Sequence, residues 1–294
     1  MSYFCQQLIN GLQLGSVYAL IALGYTMVYG IVRLINFAHG DIFMIGAYVG
    51  YFALAVYKIP FPLVFPLAMI ICAFLGVAIE KLAYKPLRNA PRINLLITAM
   101  GVSLFLEYFS SLKFIFGPNF LAYPQPFRAK VISLGKVAVS SYTVLIFLIV
   151  FSLLLLLEII IYRTKLGMAM RAVSYDKETA SLMGIDVDRI ISFTFALGSG
   201  LAAVGGILYG IAYPQIHPFM GIMPGLKAFV AAVLGGIGII KGAVVGAFIM
   251  GILEILVSAY ISSTWRDAIA FALLILFLLF KPSGIFGKEE TEKV

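Results

Sequence analysis

Residues 163 to 186 read Arg163-Thr-Lys-Leu-Gly-Met-Ala-Met-Arg-Ala-Val-Ser-Tyr-Asp-Lys-Glu-Thr-Ala-Ser-Leu-Met-Gly-Ile-Asp186, a polar passage between two long apolar runs. Within it, Asp176 is suited to cap the start of a helix. Gly184 suits the left-handed conformation after a helix end, and Asp186 can cap the next helix. The passage therefore predicts a short helical hairpin outside a membrane, and the apolar runs on either side decide the fold.

The composition is that of an integral membrane protein. Of 294 residues, 62% are hydrophobic, and the mean hydropathy is +1.06. Apolar runs of about twenty residues match transmembrane helices, whereas an outer-membrane barrel would show shorter segments of alternating polarity. We predict an all-α polytopic membrane protein with one transmembrane domain over residues 1–294. The first apolar run has no signal-peptide features, so we expect it to remain as the first helix.

The apolar runs predict eight to nine membrane segments, some of them discontinuous. At about 1.5 Å per residue, the stretch 225–261 would form a helix of about 55 Å, which is too long for one crossing. It must therefore fold back, and the glycine-rich residues 235–242 are the place. The other predicted spans are 6–29, 42–57, 61–80, 93–116, 141–162, 187–211 and 266–280.

The basic residues give the orientation. Two crossings separate residues 82–92 from the hairpin, so both face the same side, and their Lys and Arg content makes that side cytoplasmic. The tail, with Lys281, Lys288 and Lys293, is placed on that side as well. Residues 117–140, which hold Arg128, Lys130 and Lys136, must then face outward, in partial conflict with the rule. The net charge of +8 thus reflects topology and does not indicate nucleic-acid binding.

Residues 33–41, Arg33-Leu-Ile-Asn-Phe-Ala-His-Gly-Asp41, interrupt an apolar run and suggest a helix broken at membrane depth. Alternatively, Asn36 and Asp41 only cap helix ends. One spacing of small residues occurs twice in the chain. It is formed by Gly40, Gly46, Ala47, Val49 and Gly50 and again by Gly236, Gly242, Ala243, Val245 and Gly246. Either an internal repeat or chance similarity explains it.

Enzyme motifs are absent from the sequence. It contains no P-loop, no nucleophile elbow and no zincin motif, and its two histidines and two cysteines have no metal-site spacing. We expect neither catalysis nor a metal site. Glu107, Glu158 and Glu254 lie in predicted spans and would suit ion-coupled transport. Otherwise each has a partner in the protein, such as Arg163 for Glu158, or lies near the membrane interface.

Two groups of residues are candidates for function. Gln6, Asn10 and Gln13 form a polar stripe on the first span, which either makes interhelical hydrogen bonds or lines a solute path. The hairpin carries an apolar face of Ala169, Ala172, Ala180, Leu182 and Met183 beside charges, which suits another protein's groove or its own bundle. The candidates for the path are Asn10, Gln13, Asn36, His39, Asp41, Gly235 and Gly236.

Several stretches resemble the H-type permease subunit of branched-chain amino-acid ABC importers, namely 11–30, 35–41, 46–48, 171–172, 180–185 and 235–238. The resemblance covers nearly the whole chain. It implies a multi-pass protein of the prokaryotic inner membrane, without a cofactor of its own. The implied partners are membrane lipid, a second homologous permease, two cytoplasmic ATPases that hold ATP and Mg, and an extracytoplasmic binding protein that delivers Leu, Ile or Val.

The resemblance also identifies residues 163–186 as the cytoplasmic coupling hairpin that contacts the ATPases. Glu178-Thr-Ala-Ser stands where the general importer loop has Glu-Ala-Ala. The residues alone leave an alternative, an ion-coupled secondary transporter of small amphipathic solutes that uses intramembrane carboxylates. The expected coupling residues are Gly167, Arg171, Ala172, Glu178, Ala180, Gly184 and Ile185.

Overall fold

The computed structural model describes residues 2–88, 90–134 and 137–287. Lys136, Lys288 and Lys293, which were used for orientation, lie outside the described residues. Within the described ranges the chain forms eleven α-helices. They are α1 Ser2–Val32, α2 His39–Ala55, α3 Phe61–Ile79, α4 Arg92–Ser110, α5 Ser141–Arg163, α6 Lys165–Tyr175, α7 Lys177–Leu182, α8 Val187–Ala212, α9 Ile222–Gly235, α10 Ile240–Tyr260 and α11 Arg266–Phe280.

Short elements complete the fold. A π-helical turn at Glu80–Tyr84 and a 3-10 turn at Lys85–Leu87 extend α3, and a 3-10 turn at Ser263–Trp265 precedes α11. Two antiparallel strand pairs lie between the helices. They are β1 Leu121–Ala122 with β4 Gln215–Ile216, and β2 Val131–Leu134 with β3 Val137–Ser140.

Seven helices of the described chain are long and apolar enough to cross a membrane. The shorter α2 and α9 bring the count to nine segments, in agreement with the sequence. The predicted fold-back is confirmed, since α9 ends at Gly235 and α10 begins at Ile240. Gly236 and Gly238, between these two helices, have φ angles of +104° and +92°, a conformation that glycine adopts without steric cost.

The centre of the bundle is built from α1 and α8. In the most apolar 18-residue stretch of α1, 83% is buried inside the protein, and the same share for α8 is 78%. For α11 the buried share is only 6%. Small residues allow the close approach of the central helices. A Cβ atom added at Gly15 would lie 2.9 Å from the Ala247 carbonyl oxygen of α10, and one at Gly206 would lie 2.1 Å from the Phe43 carbonyl oxygen of α2.

Both short helices begin inside the bundle. The His39 ring, at the start of α2, packs on Gly24, which lies eight residues, or about 12 Å, before the end of α1. The start of α9 meets the same place, because a Cβ atom at Gly221 would lie 2.2 Å from the Gly40 carbonyl oxygen. The sequence predicted the break before α2 and the break at residues 235–242, but not the break before Ile222. The internal repeat remains a prediction.

The polar passage forms the hairpin α6–α7 with the expected caps. Asp176 accepts a hydrogen bond from the Thr179 N–H at 3.0 Å, and Asp186 accepts one from the Arg189 N–H at 3.1 Å. Gly184, between α7 and α8, has a φ angle of +82°.

Residues 82–92 and the hairpin lie at the same end of the bundle. Lys85 forms an ion pair with Asp188 at 2.6 Å, and Arg88 contacts the same carboxylate. Asp188 belongs to the first turn of α8, directly after the hairpin. This contact agrees with the shared side that the count of crossings predicted.

Candidate functional site

A small cavity of about 80 Å³ lies where α2 and α9 begin. Its polar lining comprises Asp41 on α2, Ser103 and Glu107 on α4, and Tyr25 on α1. We call Asp41, Ser103 and Glu107 the carboxyl site. The two carboxylic acids are 2% and 6% exposed. The Ser103 hydroxyl donates a hydrogen bond to Asp41 Oδ2 at 2.5 Å, and the carboxyl group of Glu107 faces that of Asp41. The site therefore brings two buried acids together from different helices.

Positive charge is missing from the carboxyl site. The lining of the cavity contains no Lys or Arg, and in the described ranges no ion pair reaches Asp41 or Glu107. Asp41 lies in the first turn of α2, where the partial positive charge of the helix N-terminus favours an anion. That partial charge is about half an elementary charge, and no basic side chain of the described ranges adds to it.

Glu254 has a different environment. It accepts hydrogen bonds from Lys227 Nζ at 2.7 Å and from the Tyr18 hydroxyl at 2.9 Å, and Arg266 Nε contacts it as well. Lys227 also pairs with Asp267 at 2.6 Å. We call these five residues the Glu254 cluster. It holds two acids and two bases, so its charges balance.

The remaining buried or intramembrane acids also have partners. Glu158 lies 3.9 Å from Lys241 at an exposed position, so the partner is Lys241 and not Arg163. Glu80, which is fully buried in the π-helical turn, contacts Arg88 and accepts a hydrogen bond from Ser192 at 2.6 Å. The sequence did not single out Glu80. Glu107 thus differs from Glu80, Glu158 and Glu254 in lacking a basic partner.

The predicted path residues lie in separate places. Asn10 bonds to Gln7 at 3.2 Å on its own helix, and Gln13 accepts a hydrogen bond from the Thr143 hydroxyl of α5 at 2.7 Å. Gln6 accepts one from the Ala138 N–H at 2.9 Å. Only the Gln13 contact joins two helices, as the interhelical alternative expects, whereas Asn10 bonds within α1 and Gln6 bonds to strand β3.

Asn36 and His39 flank the carboxyl site without lining its cavity. The Asn36 side-chain oxygen accepts a hydrogen bond from the Tyr84 hydroxyl at 2.6 Å, and the His39 ring packs edge-on against Tyr25. The residue before α2 is Ala38, which makes no side-chain cap. The capping alternative for Asn36 and Asp41 therefore does not describe these contacts.

Gly235 and Gly236 lie at the fold-back between α9 and α10, where the C-terminal segment covers them. The Phe286 N–H donates to the Gly235 carbonyl oxygen at 3.2 Å, and the Ile285 N–H donates to that of Leu234 at 2.9 Å. A Cβ atom at Gly236 would lie 3.1 Å from the Ser283 carbonyl oxygen. Of the seven path candidates, only Asp41 lines the cavity of the carboxyl site.

Sequence reasoning missed Ser103 and did not connect Glu107 with Asp41. Ser103 and Glu107 are four residues apart, and residues at this spacing share one face of a helix. A polar pair at this spacing within an apolar span could have indicated a buried polar contact. Its partner on α2 is 62 residues away from Ser103, so sequence spacing could not name it.

The hairpin divides into an attached face and an exposed tip. Gly167, Met170, Val173 and Ala180 are buried, and Ala169 and Ala172 are partly buried. The exposed tip, which we call the hairpin tip, consists of Tyr175, Leu182 and Met183, which are 94%, 88% and 79% exposed. The predicted apolar face is thus split: its alanines pack against the bundle, whereas Leu182 and Met183 face outward.

Two of the expected coupling residues fasten α6 to the end of α5. Arg171 donates to the Ile161 carbonyl oxygen, and its guanidinium lies 5.3 Å from the centre of the Tyr162 ring. A Cβ atom at Gly167 would lie 2.2 Å from the Ile160 carbonyl oxygen, so only glycine fits this turn. Glu178 and Gly184 are exposed near the hairpin tip, and Ile185 is partly buried.

The electrostatics of the hairpin follow from its caps and its neighbours. The Thr179 N–H holds the pKa of Asp176 below its usual range, so the capping carboxylate is ionised at neutral pH. Partial burial, together with the charges of Arg88 and Arg33, lowers the pKa of Lys177. The hairpin tip is therefore exposed at a basic end of the bundle.

Comparisons with known proteins agree with these features. The family described as "Branched-chain amino acid transport system / permease component" matches residues 7–278. The permease protein LivH of Salmonella typhimurium is 45% identical, with 99% of this chain and 98% of LivH aligned. BraD of Pseudomonas aeruginosa, also a high-affinity branched-chain amino acid transport system permease protein, is 42% identical with the same coverage.

A solved structure, PsaBC from Streptococcus pneumoniae in complex with Fab, has a similar fold. Its TM-score is 0.51 at 12% sequence identity, with 97% of this chain and 94% of that chain covered. The family match and the LivH identity over nearly the whole length lead to one conclusion. The chain belongs to the permease component family of branched-chain amino acid transport systems and is a multi-pass protein of the prokaryotic cell membrane.

Proposed function

We propose that this chain is one of two permease subunits in an ATP-driven importer that carries Leu, Ile and Val into the cell. A binding protein outside the membrane delivers the amino acid, and two separate cytoplasmic ATPases supply the energy, so this chain catalyses no reaction itself. The names of LivH and BraD, both branched-chain amino acid permeases, support this proposal.

The observation that carries the proposal is the hairpin tip. Three large apolar side chains, Tyr175, Leu182 and Met183, are almost fully exposed on a short helical hairpin with charged residues beside them. Apolar side chains on a helix suit a groove in a partner protein, and aromatic residues contribute strongly to such interfaces. The occupant that we assign to this surface is the ATPase.

The attachment of the hairpin gives a route for the motion. Arg171 and Gly167 join α6 to α5, and the turn at Gly184 joins α7 to α8. Helix α8 packs on the backbone of α2, since a Cβ atom at Gly46 would lie 2.3 Å from Ala203 Cα. A displacement of the hairpin would therefore reach α2 and the carboxyl site in its first turn. Alternating displacement would open the path outward and inward.

A second candidate function is ion-coupled secondary transport. One observation favours it, namely the pair Asp41 and Glu107, because acids without a basic partner inside a membrane are typical of ion and proton pathways. Such a transporter would need no ATPase, and its uptake would follow an ion gradient.

The deciding experiment is the purification of the affinity-tagged chain from its native membrane in mild detergent. We expect two P-loop ATPases and a second permease to co-purify in fixed proportions, with mass spectrometry as the measurement. Isolation of the chain alone, or only with copies of itself, would contradict the importer and favour the secondary transporter.

A substitution at Gly184 tests the coupling role of the hairpin. Gly184→Val places a β-branched residue at a φ angle of +82°, at a cost of about 1–3 kcal/mol, so the hairpin should move or lose its order. We expect loss of the ATP hydrolysis that the loaded binding protein stimulates. The matched control is Gly101→Val on α4, where an added Cβ meets no atom within 4 Å. Normal stimulated hydrolysis in Gly184→Val would contradict the coupling role.

A further inference from the structure

We propose that the carboxyl site, Asp41, Ser103 and Glu107, binds the α-ammonium group of the transported amino acid. The identity of the solute rests on the proposed function, whereas the preference of the site for an organic ammonium group rests on the geometry below. Nothing in the comparisons assigns a role to these three residues.

The charge of the site calls for a cation. Asp41 and Glu107 are at least nine-tenths buried, and the polar neighbour that Glu107 faces is another carboxyl group. Buried charges in proteins are paired, neutralised or bound to a ligand, because an isolated charge is strongly disfavoured in an apolar medium. Around the carboxyl site the described chain supplies the hydroxyl groups of Ser103 and Tyr25 and no basic side chain.

The nearest basic residue along α9 has other partners. Lys227 lies two residues after Gly225, which lines the cavity, but its ammonium group is held by Glu254 at 2.7 Å and by Asp267 at 2.6 Å. Lys227 therefore completes the Glu254 cluster and leaves the carboxyl site without a counter-charge. A solute that brings its own ammonium group would supply it.

The acceptors match an ammonium group. Ser103 donates to one oxygen of Asp41, and the carboxyl groups of Asp41 and Glu107 also hydrogen-bond one another, so their remaining lone pairs are the acceptors for an ammonium group. An ammonium group has three N–H donors. The cavity of about 80 Å³ is several times the roughly 10–15 Å³ of such space that one water needs, so it can take an ammonium group with its adjoining carbon.

The rest of the solute finds an apolar wall. Phe37, Ile222 and Leu226 line the same cavity, and Ile222 is 38% exposed, so this side is open. A branched aliphatic side chain would lie along this wall while the ammonium group contacts the acids. An inorganic cation would gain no binding free energy from this apolar wall. We therefore assign the site to an organic ammonium group.

The position of the site also suits a path that opens and closes. Gly40, Gly221 and Gly225 bring the starts of α2 and α9 into backbone contact beside the acids. No side chains interlock at this contact, so a small separation of the two helices would enlarge the cavity. The route from the hairpin through α8 to α2 ends at this point.

Thiol labelling tests the cation preference without any assumption about ATP. In a Cys5→Ser background, Ser103→Cys places a thiol in the site, while the other cysteine, Cys72, is buried. The thiol is modified by 2-aminoethyl methanethiosulfonate, a cation, and by 2-sulfonatoethyl methanethiosulfonate, an anion. Each rate is divided by the rate at which the same reagent modifies a small free thiol, which corrects for its intrinsic reactivity. We expect a cation-to-anion ratio of about 10 or more, since acidic clefts enrich cations to this degree. A ratio of one or below would overturn the proposal.

Two further variants test whether the carboxyl site causes the cation-to-anion ratio. Glu107→Gln should bring it close to one, whereas the matched control Glu158→Gln, which removes the exposed acid paired with Lys241, should leave it unchanged. An equal fall in both variants would show a general surface charge effect and would contradict the site.

Competition identifies the class of cation. At constant ionic strength, leucine and 3-methylbutylamine should slow the labelling by 2-aminoethyl methanethiosulfonate, whereas 4-methylpentanoate, which lacks the amino group, and sodium chloride should not. Protection by sodium equal to that by the amine would assign the site to an inorganic cation. Either that result or a lack of protection by leucine would overturn the ammonium site.

Uptake by the assembled transporter completes the test. Asp41→Asn and Glu107→Gln should each lower leucine uptake about tenfold or more, while the ATP hydrolysis stimulated by the loaded binding protein persists. Normal uptake in both variants would overturn the ammonium site and leave the importer intact. If the unmodified complex showed no ATP-driven uptake, the proposed function would fail while the labelling result stood.

Discussion

The Glu254 cluster and the carboxyl site bury acids in the same bundle with opposite outcomes. Glu254 is held by Lys227, Arg266 and Tyr18, and these contacts join α1, α9, α10 and α11. Asp41 and Glu107 face one another with a serine hydroxyl as their neighbour. In the first arrangement the acids pair with bases of the same chain, whereas in the second the acids have no basic partner among the described residues.

The difference separates a structural role from a functional one. A buried ion pair contributes little net stability, but the loss of one partner is costly because the other charge remains buried and unpaired. A pair of acids without a counter-charge lowers stability from the start. We infer that the Glu254 cluster fixes the helices and that the carboxyl site is kept for a ligand. This contrast predicts opposite responses to mutation.

The largest expected effect is in the Glu254 cluster. Lys227→Met should lower the free energy of unfolding by about 2–3 kcal/mol, because Glu254 loses a charged hydrogen bond and keeps one base, and Asp267 loses its partner. Chemical unfolding of the purified chain in detergent measures it. The matched control is Lys241→Met, whose side chain is 72% exposed and whose loss should cost at most about 1 kcal/mol. Equal losses of unfolding free energy in the two variants would contradict a structural role for the Glu254 cluster.

An intermediate effect is expected where the two short helices meet. Gly40→Ala would place a Cβ atom 2.6 Å from the Gly221 carbonyl oxygen, so α2 and α9 must separate and Asp41 must shift. Overpacking of this kind costs about 1–3 kcal/mol, and we also expect leucine uptake to fall. Gly101→Ala adds the same group in open space on α4 and should be neutral or slightly stabilising. Normal unfolding and uptake in Gly40→Ala would show that the contact is looser than described.

The smallest effect on stability, and the opposite sign, is expected in the carboxyl site. Glu107→Gln should leave the free energy of unfolding unchanged or raise it by about 1 kcal/mol, because the amide removes a charge that faces Asp41 and can donate a hydrogen bond to it. The same unfolding assay measures it. A loss of 3 kcal/mol or more would place Glu107 among the structural acids and would erase the contrast with Glu254.

Local sequence patterns predicted much of the fold. The caps of the hairpin depend on neighbouring residues, and Asp176, Gly184 and Asp186 occupy the positions expected of them. The spans could be predicted because apolar length is a local property. The length of residues 225–261 predicted the fold-back, and the glycine-rich residues 235–242 gave its place. The start of this apolar stretch was predicted at about residue 225, three residues after the observed start of α9 at Ile222. Proline is tolerated in the first turn of a helix, and Ile222 precedes Pro224 there.

Partners that are distant in the sequence could not be predicted. Tyr18 and Glu254 are 236 residues apart, and nothing in the spacing of either residue indicates the other. For the same reason Glu107 was recognised as an intramembrane acid, but not as a neighbour of Asp41. The candidate path therefore needed the three-dimensional arrangement of α2, α4 and α9, while the candidate coupling region could be located from one continuous stretch.

The C-terminal segment bears on the order in which the protein is made. The last carbonyl groups of α9, at Leu234 and Gly235, accept hydrogen bonds from Ile285 and Phe286, about fifty residues later in the chain. Helix α9 has 14 residues and is about 21 Å long, which is too short to cross a bilayer alone. While the ribosome is still synthesising α10 and α11, these carbonyl groups have no such donors. The short helix beside the carboxyl site is therefore completed only after residues 285 and 286 have been synthesised.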